Sequence, residues 1–278
     1  MIPEIELSGH DINKFIVDIN GKDLVVAIGC SWTRFWGAFD DCEDFRSPNY
    51  KDNIDLFNTY SYTGIVSNFL NINSKIVMAI PGSNNDMQSR LLVEFMQKNR
   101  HKFNQIFVLW GITSHLRWEL YSNNVNQPSM FMLGSKVPPG KEEERKWFLT
   151  RHWNEKFELE RLSQKLVLVS NYLKTLNVEH LFFPVFESYN NFNMNLNYID
   201  NKHFFNKSDS VNDMMHLWCK EHNINIEDSV LANPYNENEV RKLKVLIDLG
   251  YLSKASAHPT IKGHKDIADR LVNYINKF

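Results

Sequence analysis

A doubly wound, mostly parallel α/β sheet is the fold class this sequence predicts, on three observations. Short apolar runs rich in β-branched residues recur along the chain, segments with apolar residues at helical spacing separate them, and Gly, Pro or Ser follows the ends of several runs. Strands buried on both faces have this unbroken apolar character, because helices cover each side of a parallel sheet.

The elements follow in order. Residues 24–29 (LVVAIG) form the first strand. Residues 60–70 have helical spacing, and 75–80 (KIVMAI) form a second strand closed by Pro81 and Gly82. Asn84 or Asn85 caps a helix running through Met87, Leu91, Leu92 and Phe95, and 105–110 (QIFVLW) is a third strand. After an irregular stretch with Pro128, Pro138, Pro139 and Gly140, one long helical pattern covers 142–175, and 180–186 form a fourth strand. An Asn-rich segment then suggests an insertion, with a helix at 211–222 and a short strand at 223–226. Pro259 is placed in the first turn of a final helix whose apolar positions are Ile267, Ala268, Leu271 and Ile275. The whole is expected to be a single domain over residues 1–278 with rim insertions near 115–141 and 188–238.

Composition narrows the function. The chain has 278 residues, with 31 Lys plus Arg against 33 Asp plus Glu and a formal charge of -2. Nothing in that balance favours nucleic acid or an anionic membrane surface. Cys30, Cys42 and Cys219 are odd in number and widely spaced, unlike a disulfide framework. The acidic start MIPEIELSGHDINKF lacks the pattern of a classical signal peptide, and no apolar run approaches the ~18 residues of a transmembrane helix. The expected location is cytoplasmic.

In doubly wound sheets ligands sit at the carboxyl ends of the strands, near the switch in strand order. The first strand ends there in Gly29, Cys30 and Ser31, the second in Pro81 to Asp86 and the third in Gly111, Ile112, Thr113 and Ser114, while His258 and Pro259 precede the final helix. A Ser on a tight turn exposes its oxygen and points backbone amides at a developing oxyanion, and a His brought to the same rim is its base. Each residue alone is more simply a cap or a structural group; the ordered set carries the reading.

These strings resemble the SGNH hydrolases, the GDSL esterase/lipase superfamily, as four spaced blocks covering nearly the whole chain. The resemblance implies a three-layer α/β/α sandwich of flavodoxin-like type. It makes Ser31 in AIGCSWT the nucleophile, Gly82 in PGSNND an oxyanion donor with the Ser31 amide, and His258 in SAHPTIKGHKD the base. Thr113 stands where the family usually has an Asn donor, Cys30 where it has an Asp, and Ala255 where the triad acid belongs. GCSWT, PGSNND with Arg90, and WGITS with Arg117 and Glu119 look most like a divergent group of phages and marine bacteria, in which a Thr or Ser in the third block is usual. That adds a virion association to the expected locations. A backbone carbonyl or water near 254–256 orients His258, or a displaced acid such as Asp248 does, or no functional triad exists; the sequence leaves all three open.

The site therefore comprises Ser31 and His258 as catalytic residues, Ser31, Gly82 and Thr113 as the oxyanion hole, and Trp32, Asn85 and Arg117 as substrate contacts. No metal or other cofactor is required. His216, Cys219 and His222 lie on one helical arc without a fourth ligand. Glu142, Glu143 and Glu144 are a solvated helix start, and His264 is taken as a surface helix residue. Of the rim aromatics Trp32, Phe35, Trp36, Phe39, Trp118 and Tyr121, most are expected to pack an insertion onto the sheet. The function expected is a serine esterase removing a small acyl group, an O-acetyl on a carbohydrate. The alternatives are a non-catalytic glycan-binding or virion structural protein, and a lipase or thioesterase using the same residues.

Overall fold

Strand β2 (Asp23–Gly29) lies at the centre of the sheet, and every residue from Leu24 onward in it is buried. It pairs in parallel with β3 (Ser74–Ala79) on one side and with β4 (Gln105–Ile112) on the other. β4 in turn pairs in parallel with β7 (Glu179–Pro184). A three-residue strand, β1 (Ile16–Asp18), closes the β3 edge in the antiparallel sense, giving the order β1-β3-β2-β4-β7. The computed structural model describes residues 3–7, 15–35, 38, 53–120, 129–132, 142–186, 189, 196–209, 211–224 and 237–278.

The chain steps from β2 to β3 on one side and then back across to β4 on the other. The reversal between β2 and β4 is the topological switch of a doubly wound sheet, where a crevice opens beyond the strand ends.

Alternation along the strands divides the interior into two cores. Leu24, Val26 and Ile28 face α3 (Asn85–Asn99) and α5 (Glu155–Thr175), meeting Leu92, Phe95, Leu166 and Leu173. Val25 and Ala27 face the other way, toward α1 (Ile54–Tyr60), α2 (Tyr62–Phe69), α6 (Met214–Glu221), α7 (Glu237–Asp248) and α8 (Ile261–Ile275). The result is the expected three-layer α/β/α sandwich around a mostly parallel sheet.

Several boundaries differ from the sequence reading, each for a local reason. The side chain of Asn84, not Asn85, caps α3 by accepting from the Met87 amide. The pattern at 142–175 is two helices, α4 (Glu142–Arg151) and α5, because Asn154 starts the second by accepting from the Phe157 amide. Pro259 precedes α8 rather than occupying its first turn; Thr260 is the cap, accepting from the Gly263 amide. The irregular stretch near 115–141 contains a hairpin of β5 (Arg117–Leu120) and β6 (Ser129–Met132). Beside it a small satellite core forms from Leu116 and Phe148, with Trp118 and Trp153 packed on it. In place of a strand at 223–226, Asn223 takes a φ of 54° and the Ile224 amide returns to the Cys219 carbonyl; residues 225 and 226 lie outside the described residues. In the second insertion Phe204 bridges Phe182 in parallel, so the segment is fastened to the β7 edge. Among the described residues no helix is long and apolar enough to cross a membrane.

Candidate active site

Three turns at the carboxyl ends of β2, β3 and β4 meet at the switch point. The first carries Ser31. Thr33 donates its amide to the Cys30 carbonyl at 3.0 Å and Arg34 to that of Ser31 at 3.2 Å, so the chain coils tightly directly after the strand. Thr33 folds back over Gly29: a Cβ there would stand 1.9 Å from the Thr33 Oγ1 and 3.3 Å from the Gly111 carbonyl oxygen. Only glycine permits that approach. Cys30 points into the apolar core beneath the turn. Phe35 has a φ of 66° and packs its ring edge-on against Phe57 and against the imidazole of His264.

His258 reaches the same place from the other end of the chain. Ser253 donates its amide to the His258 carbonyl at 2.8 Å, Ala257 to the Ser253 carbonyl at 2.9 Å, and Leu252 bridges Pro259. This closed loop sets the His258 Nε2 2.7 Å from the Ser31 Oγ. A hydroxyl at that distance from an imidazole nitrogen has the geometry for proton transfer. Ala255 is exposed on the loop and Asp248 is exposed at the end of α7.

The second turn presents Gly82. Ser83 donates its amide to the Ile80 carbonyl, and Gly82 sits at φ 74° on an open face where an added Cβ would meet nothing within 4 Å. Its glycine is explained by conformation, not by crowding. Neither the Ser31 nor the Gly82 amide donates to another backbone group among the described residues. Two residues given no role of their own in the sequence reading join the turns: the Ser83 hydroxyl donates to the Gly29 carbonyl at 3.2 Å, and Gln88 donates to that hydroxyl while accepting from the Trp110 indole. Gln88 thereby ties α3 to β4 beneath the site.

Thr113, after β4, is wholly buried. Its amide donates to the Asn85 Oδ1 at 3.0 Å, and its carbonyl accepts from the Asn85 Nδ2 and from the Tyr189 hydroxyl, each at 2.8 Å. Its own Oγ1 is buried and has no partner among the described residues.

The three expected substrate contacts have different surroundings. Asn85 is 6% exposed with its carboxamide occupied by Thr113, so it is a strut for the third turn. Trp32 is 5% exposed, edge-on to Phe186 and stacked on Trp218, and packs the rim. Arg117 remains partly exposed, donating weakly to the Ser83 carbonyl at 3.4 Å with its guanidinium over the Phe186 ring.

The expectation that His264 is a surface residue is overturned. It is fully buried, its ring stacks on Tyr62, and burial together with the nearby His258 pushes it down to about 3, so it is neutral. His264 precedes Ile267, Ala268 and Leu271 by three, four and seven positions, a signal that placed it on the buried stripe. His216 pairs with Asp213 at 2.7 Å, Cys219 is in the core and His222 approaches the Tyr251 hydroxyl at 3.3 Å. No cluster of three or more His, Cys, Asp or Glu among the described residues is arranged to hold a metal. Trp36, Phe39, Tyr121 and the side chains of Glu119 and Glu144 lie outside the described residues.

No protein-family model matches the chain, and no curated protein matches it significantly. Among solved structures it is similar to the lipase/acylhydrolase from Enterococcus faecalis, at 13% identity over 92% of this chain and 96% of that one, with a TM-score of 0.37.

Proposed function

We propose that the protein is a serine ester hydrolase of the SGNH type that removes a small acyl group, an O-acetyl on a carbohydrate. The observation that carries this is the 2.7 Å contact between the Ser31 Oγ and the His258 Nε2 at the switch of a doubly wound sheet. In this reading His258 takes the Ser31 proton as the oxygen attacks the acyl carbon. The oxyanion is held by the Ser31 and Gly82 amides and the Thr113 hydroxyl. Collapse of the adduct releases the alcohol, protonated from the His258 Nε2, and leaves an acyl-serine. Water then attacks with His258 again as base, and the carboxylic acid leaves.

The unpartnered, buried Thr113 Oγ1 supports its part, since a donor held ready costs no reorganisation as charge develops. Asn85 fixes the Thr113 main chain and so the turn from which that hydroxyl projects. Acetate release from acetylated oligosaccharides by the wild-type protein, lost in Ser31→Ala, tests the reading. Equal release by both proteins overturns it, and faster turnover of long-chain esters than of acetyl esters shifts the substrate to a lipid or thioester.

A further inference from the structure

Beside the third turn is a small recess, open to solvent and lined in part by Asn85, Asp86, His115, Arg117, Glu158, Arg161 and Lys165. It adjoins the candidate catalytic site at two points. Asn85 holds Thr113, and Arg117 donates to the Ser83 carbonyl next to Gly82. Arg117 also lies over the Phe186 ring, 5.3 Å from its centroid, and Phe186 packs edge-on against Trp32, the neighbour of Ser31. One ring separates the guanidinium from the turn that bears the nucleophile.

The charges in the recess are unevenly satisfied. Arg161 contacts Asp86 at 3.1 Å and Glu158 at 2.9 Å, and Lys165 contacts Asp86. Arg161 is further fixed with its guanidinium over the Trp118 ring. Among the described residues Arg117 has a 3.4 Å contact with the Ser83 carbonyl and its place over the Phe186 ring, and its Nε is buried without a partner among them. Among the described residues, Arg117, Arg161 and Lys165 face Asp86 and Glu158, with His115 paired to Glu155, which leaves one positive charge in excess, and it is Arg117 that has no counter-ion among them. A buried guanidinium nitrogen without an acceptor is costly, and a planar carboxylate is the acceptor that its fork matches.

We infer that this recess is a subsite for a carboxylate on the substrate, so that the ester cleaved at Ser31 belongs to an acylated acidic sugar. The inference rests on the esterase reading for the ester, while the subsite stands or falls by binding. A monoanion suits the single excess charge, and the neighbouring Asp86 and Glu158 carboxylates disfavour a dianion such as phosphate. Burial draws Lys165 down to about 8, and a carboxylate entering beside it supports its charged form.

The test uses the full chain carrying Ser31→Ala, with D-glucuronate, glucose and inorganic phosphate as probes in calorimetric titrations. Glucuronate is expected to bind at least tenfold more tightly than glucose and than phosphate. Arg117→Gln and, separately, Lys165→Gln should each reduce that preference severalfold, with far-ultraviolet circular dichroism showing that each variant is folded. Glucuronate binding no tighter than glucose overturns the subsite, as does tighter binding of phosphate or a preference unchanged in both folded variants. In wild type, hydrolysis of acetylated glucuronate no faster than that of acetylated glucose, with Ser31 active, removes the subsite and leaves the esterase reading. Selective binding without hydrolysis removes the esterase reading and leaves the subsite.

Discussion

The Asn85 carboxamide holds both main-chain groups of Thr113, its Oδ1 accepting from the amide and its Nδ2 donating to the carbonyl across 28 residues of chain. A backbone-like pairing made by one side chain takes the place of another strand at the end of β4. It leaves the buried Thr113 hydroxyl without a partner among the described residues.

Asn85→Ala removes both bonds and leaves a buried amide without an acceptor. The expected cost is about 2–4 kcal/mol in urea unfolding, and Ser31 should lose reactivity because the third turn relaxes. A cost below ~0.5 kcal/mol would show that Asn85 does not hold the turn.

Thr113→Val separates fold from chemistry. The Oγ1 is buried with no partner among the described residues, so exchanging it for a methyl group should leave stability unchanged or raise it. Ester hydrolysis should fall by about 10²-fold if that hydroxyl binds the oxyanion. Unchanged hydrolysis in a stable Thr113→Val protein would remove Thr113 from the oxyanion hole.

Gly29→Ala should disrupt the turn that carries Ser31 from below, since the added methyl would stand 1.9 Å from the Thr33 Oγ1. We expect a loss of at least about 1–3 kcal/mol from overpacking. Adding Thr33→Ala should restore part of it, though the Thr33 Cβ itself lies 2.9 Å from the new methyl. Full additivity of the two substitutions in a double-mutant cycle would contradict this contact.

Stability should decline as pH falls below about 6.5. Burial, reinforced by the stacked His203 ring, pushes His180 down to about 3, and His264 is lowered to about 3 as well. Both are neutral in the folded protein, whereas the unfolded chain binds their protons below the ordinary histidine value. Acid therefore favours unfolding by roughly 1.4 kcal/mol per pH unit for each imidazole, from about pH 6.5 down to about pH 3. Urea unfolding of wild type and His180→Gln at pH 7 and pH 5 checks this: the variant should lose about 2 kcal/mol less than wild type over that interval. Equal losses would show that His180 is not held neutral.

The parallel strands were legible because each is buried on both faces, which forces an unbroken apolar run such as VVAI in β2. Gly82 was legible because Pro-Gly after a strand demands a turn. The hairpin of β5 and β6 was not, since among the described residues its satellite core is Leu116 and Phe148 with two tryptophans packed on them, too short a pattern for periodicity to register. Asn85 was ambiguous for a different reason. A polar residue at the start of a helix caps, struts or touches ligand according to what folds onto it, and here that is Thr113. Gln88 and Ser83 join the turns through tertiary contacts that leave no local signature.

The central claim is that Ser31 is an activated nucleophile with His258 as its base. Reaction with a fluorophosphonate, read by intact mass and peptide mapping, tests it most directly. The account predicts one adduct on Ser31 in wild type, none in Ser31→Ala, and labelling slowed by at least about 10²-fold in His258→Ala. Absence of labelling in folded wild-type protein, or labelling at Ser31 that proceeds equally well without His258, would contradict it.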